Sequence, residues 1–177
     1  MPIVRVLFID KVAPTETAAF LEDEEREVKY PEGIDCVWLA SDREGHVGAF
    51  ITAGMGPIPA EALNSTIVPF EDIGGRLDQL PRVSEARLLV PLKRPDDFID
   101  LAERGLFVYD WSDIHRTARG ALQVYEAMAV PTQPITVSSL PSDLSSLATA
   151  LSLAAVLFAA GGTVDIRAPL SCIETEI

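Results

Sequence analysis

Hydrophobic and polar positions alternate in short stretches along this chain rather than in long blocks. The opening PIVRVLFID sets Val4, Val6 and Phe8 against Ile3, Arg5 and Leu7, the period of two that a strand requires. TETAAFLEDEERE then reads as a short helix capped by Thr15, with its acids crowded at the C-terminal end, where the helix dipole disfavours them. That placement lets the helix stop early and leaves Glu22 to Glu27 as an acidic loop. Two runs of β-formers, 34–41 and 46–53, flank Asp42-Arg43-Glu44-Gly45. Asp can open a type I turn and Gly45 can take the left-handed position that starts the second strand, so these residues predict a hairpin. A short helix follows MGPIP, with Pro59 suited to its first turn. FEDIGGRLDQL is a weak helix, and ARLLVPL reads as a strand. RPDDFIDLAERG is a compact helix, opened by Pro95 and two Asp and stopped by Gly105, with Phe98, Leu101 and Ala102 facing the core. LFVYD is a strand, WSDIHRTARGALQVY continues as helix or turn, ITVSSL is a strand, and TVDIRAPLSCIETEI supplies one or two more.

The longest apolar stretch, 141–160, reads as one long helix with Leu144, Leu147, Leu151 and Phe158 on its core side. Its segment LSSLATALSLAAVLFAA approaches the length of a membrane span and carries no charge. Ser145, Ser146, Thr149 and Ser152 line one side, however, and no Lys or Arg flanks it, so a helix buried in a water-soluble domain fits better. That Ser-rich side is expected against closely packed backbone or a polar edge. Irregular alternation of strands and helices around at least one hairpin favours an α+β fold with a mixed or antiparallel sheet. With 177 residues and no repeat or linker, a single domain over 1–177 is expected.

Charge narrows the partners. The chain has 14 Lys and Arg against 27 Asp and Glu, net −13. Nucleic acid and anionic membranes need the opposite sign, which leaves a basic protein, a cation, or solubility alone as the use of this acidity. Cys36 and Cys172 sit in separate apolar runs with no CxxC spacing, as expected of buried thiols in a reduced cytoplasm. The N-terminal run is too short for a signal sequence and is cut by Asp10.

FVYDWSDIHR is the stretch richest in reactive groups, with Asp110, Asp113 and His115 close together. A carboxylate can orient an imidazole for proton transfer, but these spacings do not share one helical face. The simpler reading is a junction: a strand ends at Asp110, Ser112 caps a helix, Asp113 favours its dipole, and Trp111 anchors the junction in the core. His46 follows the hairpin turn and is expected to be exposed. No HExxH, Cys pair, EF-hand or P-loop pattern occurs, so neither a metal nor a cofactor is expected. Cys36 in an apolar strand lacks the electropositive setting of a nucleophile.

Two acidic sets remain. Glu22, Asp23, Glu24, Glu25 and Glu27 form one, and Asp96, Asp100 and Glu103 share a face of the 95–104 helix beside Asp97. Such runs usually mean a solvated surface, but they also suit a protein that covers a basic partner. On VWLASDREGHVGAF with GPIP after it, and on FVYDWSDIH, the chain resembles small acidic bacterial immunity proteins that neutralise toxins delivered between competing cells. The resemblance implies direct occlusion of a toxin domain, often a basic nuclease, without catalysis. An enzyme, such as a hydrolase with a non-local site near His115, and a non-catalytic scaffold subunit are the alternatives.

Overall fold

The computed structural model describes residues 31–113, 117 and 120–167; the strand and helix expected before residue 31 lie outside them. The fold is α+β, built on a mixed sheet. Strands β1 (Val37–Asp42) and β2 (Val47–Ile51) form the expected hairpin, with Trp38 opposite Phe50 and Ser41 opposite Val47. Gly45 closes its turn at φ 78°, a left-handed conformation that side-chain-bearing residues rarely adopt.

The remaining strands are β3 (Ala86–Leu88), β4 (Phe107–Ser112), β5 (Val124–Pro131), β6 (Ser152–Leu153) and β7 (Thr163–Val164). Their order is β3-β5-β4-β2-β1-β6, with β7 also on β5. The β2–β4 and β1–β6 pairs are parallel, the others antiparallel. The α-helices among the described residues are α1 (Ala60–Leu63), α2 (Ile73–Leu77), α3 (Asp96–Glu103) and α4 (Ser142–Ala150). Among the described residues no helix is long and apolar enough to cross a membrane.

Register sets the core. Trp38, Phe50 and Tyr109 fall side by side on one face, where Trp38 stacks on Phe50 at 4.1 Å between ring centroids and Phe50 on Tyr109 at 4.8 Å. Tyr125 meets Trp38 and Phe50 edge-on, and Phe158 leans on Phe50 and Tyr109. Offset stacks and edge contacts are the arrangements that aromatic quadrupoles favour. α3 packs over β4 and β5, where Ala102, Leu101 and Phe98 meet Val108 and Ala129.

Three expectations are corrected. The 141–160 segment is not one helix: α4 ends at Ala150, and the chain then extends into β6. The edge of β1 decides this, since the Ser41 N–H donates to the Leu151 carbonyl at 3.0 Å and Ser41 and Asp42 pair with Ser152 and Leu153. Leu144, Leu147, Leu151 and Phe158 are all buried as expected, the last two without a helix to place them. On the Ser-rich side Ser146, Thr149 and Ser152 are exposed and Ser145 is half-buried. ITVSSL gives one bridge, His46 to Thr136, and a 3₁₀ turn at Val137–Ser139 instead of a strand. Finally, the strand expected to end at Asp110 runs on through Ser112, the residue expected as a helix cap. Ser112 is the last residue of β4, paired with Val124, and its hydroxyl donates to the Ala121 carbonyl.

Two cross-element ion pairs tie helices down. Arg76 of α2 holds Asp143 of α4, Nε to Oδ2 at 2.9 Å, and Asp100 of α3 is held by Arg104 and Arg82. At each carboxyl, burial acts to raise the pKa, but the arginine hydrogen bonds and charges outweigh it and leave it below the ordinary Asp value. A carboxyl lowered on folding stabilises above its unfolded pKa of about 4 and loses that contribution as pH falls through its folded value. Urea midpoints should therefore drop on acidification below about pH 4. The double variant Asp100→Asn/Asp143→Asn should show a shallower drop; an unchanged acid slope would refute the linkage.

Candidate functional site

The sheet has two ends, and they differ in character. At the turn end, Asp42 is buried and its carboxylate is fully engaged. Oδ1 accepts the N–H groups of Glu44 and His46, both at 2.9 Å, and Oδ2 accepts the N–H of Phe158 at 2.9 Å. His46 Nδ1 lies 3.5 Å from Oδ2. The imidazole is mostly buried against Phe107, with a ring separation of 5.7 Å, rather than exposed as its place after the turn implied. The nearby Tyr109 phenol has its pKa pushed up, by burial first and by the Asp42 charge second. The Asp42 carboxylate therefore clamps the hairpin turn to Phe158 through three backbone donors, and the His46 Nδ1 makes no hydrogen bond. A groove of about 500 Å³ between Arg87, Pro131, Pro134 and the Ala159–Gly162 stretch opens beyond Phe107.

The opposite, open end gathers the termini of β2 and β4 with the starts of β1 and β5. Asp110 stands directly across from Glu126, so two carboxylates are cross-strand neighbours, with Glu126 buried. Asp110 Oδ1 accepts the Trp111 N–H at 3.0 Å. Trp111 is buried, as its role as a core anchor requires, against Tyr125 at 5.2 Å between rings. Asp113 lies just past β4, and His115 lies outside the described residues.

The turn after β2 shapes this end. Thr52 is buried, and its hydroxyl accepts the Cys36 N–H at 3.0 Å and the Gly54 N–H at 3.3 Å. Its carbonyl accepts the N–H groups of Met55 and Gly56. Ala53 is forced to φ 50°, and Gln123 in the facing β4–β5 connection to φ 57°. Gly56 has no room for a side chain: a Cβ there would lie 2.7 Å from the Tyr125 hydroxyl and 2.9 Å from Trp111 Cβ. Below, Trp38 Nε1 donates to the Tyr125 hydroxyl at 3.0 Å, which donates to the Pro57 carbonyl at 2.9 Å. Cys36 is half-buried beside this turn. Burial, with Asp35 adding, pushes its thiol up and away from nucleophilic reactivity.

Of the acidic sets, Glu22, Asp23, Glu24, Glu25 and Glu27 lie outside the described residues. Asp96, Asp100 and Glu103 do fall on one helix, but not as a free negative face. Arg82 bridges Asp100 and Glu103, and Arg104, almost fully buried, holds Asp100 and donates to the Leu80 carbonyl. Asp96 and Asp97 remain exposed. Among the described residues no group of three or more His, Cys, Asp or Glu is placed to hold a metal ion. Sequence reading missed Asp42 as a buried clamp and Glu126 as the partner of Asp110. The first was legible in part, because an Asp two and four residues before the N–H groups it accepts is a turn-forming pattern. Compared with known proteins, the chain matches no protein-family model, no curated protein and no solved structure.

Proposed function

We propose that this protein is an immunity protein: a non-catalytic binder that occludes a basic toxin domain in the cytoplasm of the cell that makes it. The observation that carries the reading is the charge, 27 acids against 14 bases in a chain of 177 residues. A net charge of this size speeds encounter with a basic protein and disfavours acidic competitors. A second reading, a hydrolase, draws on the Asp110–Glu126 carboxylate pair, since two facing carboxyls can divide acid and base roles.

The test begins with the genes on either side. A large neighbouring toxin gene should supply a C-terminal domain that this protein binds when both are purified, with association slowing as salt rises. The complex should block the toxin's activity. If no neighbour encodes such a domain, or the domain does not bind while the protein turns over small esters or phosphates, the immunity reading is wrong and the hydrolase reading replaces it.

A further inference from the structure

We infer that the open end of the sheet, centred on Met55 with Ile34 and Leu122 at the same end, is the surface that receives a basic protein partner carrying an apolar cleft. This rests on the proposed neutralising function and gives it a place on the molecule. Three large apolar side chains stand in solvent here: Met55 is 72% exposed, Ile34 61% and Leu122 48%. Their placement at one end follows from the backbone. The Gly33 N–H donates to the Gly54 carbonyl, joining the approach to β1 to the turn that carries Met55. Gly56 presses on Trp111, and the Gln123 N–H donates to the Ser112 carbonyl one residue along β4.

Exposure alone would say little, because scattered surface hydrophobes are ordinary. What distinguishes Met55 is how it is held. The turn bearing it is fixed by hydrogen bonds to both the hydroxyl and the carbonyl of buried Thr52, and it rests on the Trp38–Tyr125–Pro57 chain. Ala53 and Gln123, the two non-glycine residues with positive φ among those described, flank Met55 and Leu122. Strained backbone persists where surroundings over-determine it, and it gathers at binding and catalytic surfaces. A rigid mount lowers the ordering cost of binding, and methionine is a side chain that adapts to irregular clefts.

Charge selects the occupant. Glu32 and Asp35 are exposed beside Ile34. Arg167, which reaches Gln123 Oε1 at 2.8 Å, is neutralised by both carboxylate oxygens of Asp165. An apolar centre with acidic flanks fits a partner that is basic around an apolar cleft, the arrangement of anchors and rim that concentrates binding energy in few residues.

The experiment uses the full chain and the purified, catalytically inactivated toxin domain encoded beside its gene. Met55→Arg and Leu122→Arg should each weaken binding at least about thirtyfold with an unchanged melting temperature. Asp96→Lys/Asp97→Lys on α3 should change affinity less than about threefold. Glu32→Lys/Asp35→Lys should slow association and flatten its salt dependence. If Met55→Arg does not fold, Met55→Gln reads the same contact. Wild-type binding that survives the Met55 and Leu122 substitutions, or that is lost through the α3 pair, overturns this surface while leaving the function intact. Failure of the wild type to bind overturns both.

Discussion

Asp42→Ala is expected to lower the unfolding free energy by about 3–5 kcal/mol. The carboxylate is the acceptor for three backbone donors, and they differ in exposure. The Phe158 N–H is buried, so removing its acceptor leaves a donor that water cannot reach, a loss of about 1–3 kcal/mol. The N–H groups of Glu44 and His46 are only partly buried and can recover solvent, so each adds about 1 kcal/mol. The damage should also spread. The same carboxylate joins the hairpin turn to the segment that carries Phe158, which packs on Phe50 and Tyr109. Asp42→Asn keeps one oxygen acceptor and should lose roughly half as much. Urea denaturation measures both, and a loss under about 1 kcal/mol for the alanine variant would show that the carboxylate is not the clamp.

Trp38→Ala should cost a similar amount, about 3–5 kcal/mol, by a different route. The indole is fully buried between Phe50 and Tyr125, so truncation opens a cavity in the centre of the sheet's aromatic face. The backbone around it belongs to the paired strands β1 and β2 and cannot collapse into the space. Trp38→Phe separates ring packing from the indole hydrogen bond. It should lose only about 1–2 kcal/mol, because the Tyr125 hydroxyl keeps the Pro57 carbonyl as its acceptor. Trp111 is the one tryptophan left in either variant, so its fluorescence reports unfolding directly. If alanine and phenylalanine prove equally mild, the stack is not a main source of stability.

Local chemistry made some of this fold readable. The hairpin announced itself through an Asp-to-Gly turn between β-rich runs, and α3 through Pro95, its opening acids and Gly105, because each signal lies within the element it specifies. The strand β5 did not. VYEAMAVP is rich in residues that favour helices, and only pairing on both sides, with β4 along one edge and β3 and β7 along the other, makes it extended. The 151–153 segment obeyed the same logic: a free edge on β1 outweighed an apolar run with helical spacing. The candidate sites divide the same way. Asp110 was visible as a carboxylate, but its neighbour Glu126 follows from a register that shifts at Val108 and Tyr109, which no local pattern encodes. The rigidity under Met55 likewise depends on Trp38, Tyr125 and Pro57, which are distant in sequence.

The short strands at the sheet's borders carry a consequence for behaviour at high concentration. An exposed edge is a template on which a second chain can add, and long flat edges seed aggregates. Among the described residues β5 is the longest strand, and its outer edge is covered by β3 over residues 129–131 and by β7 over residues 125–126. Among the described residues the outermost pieces, β3 at three residues and β6 and β7 at two each, are too short to register an incoming strand. Pro91 stands shortly after β3, and proline cannot donate to a ladder. Among the described residues the sheet thus ends in fragments that offer an incoming strand little to copy.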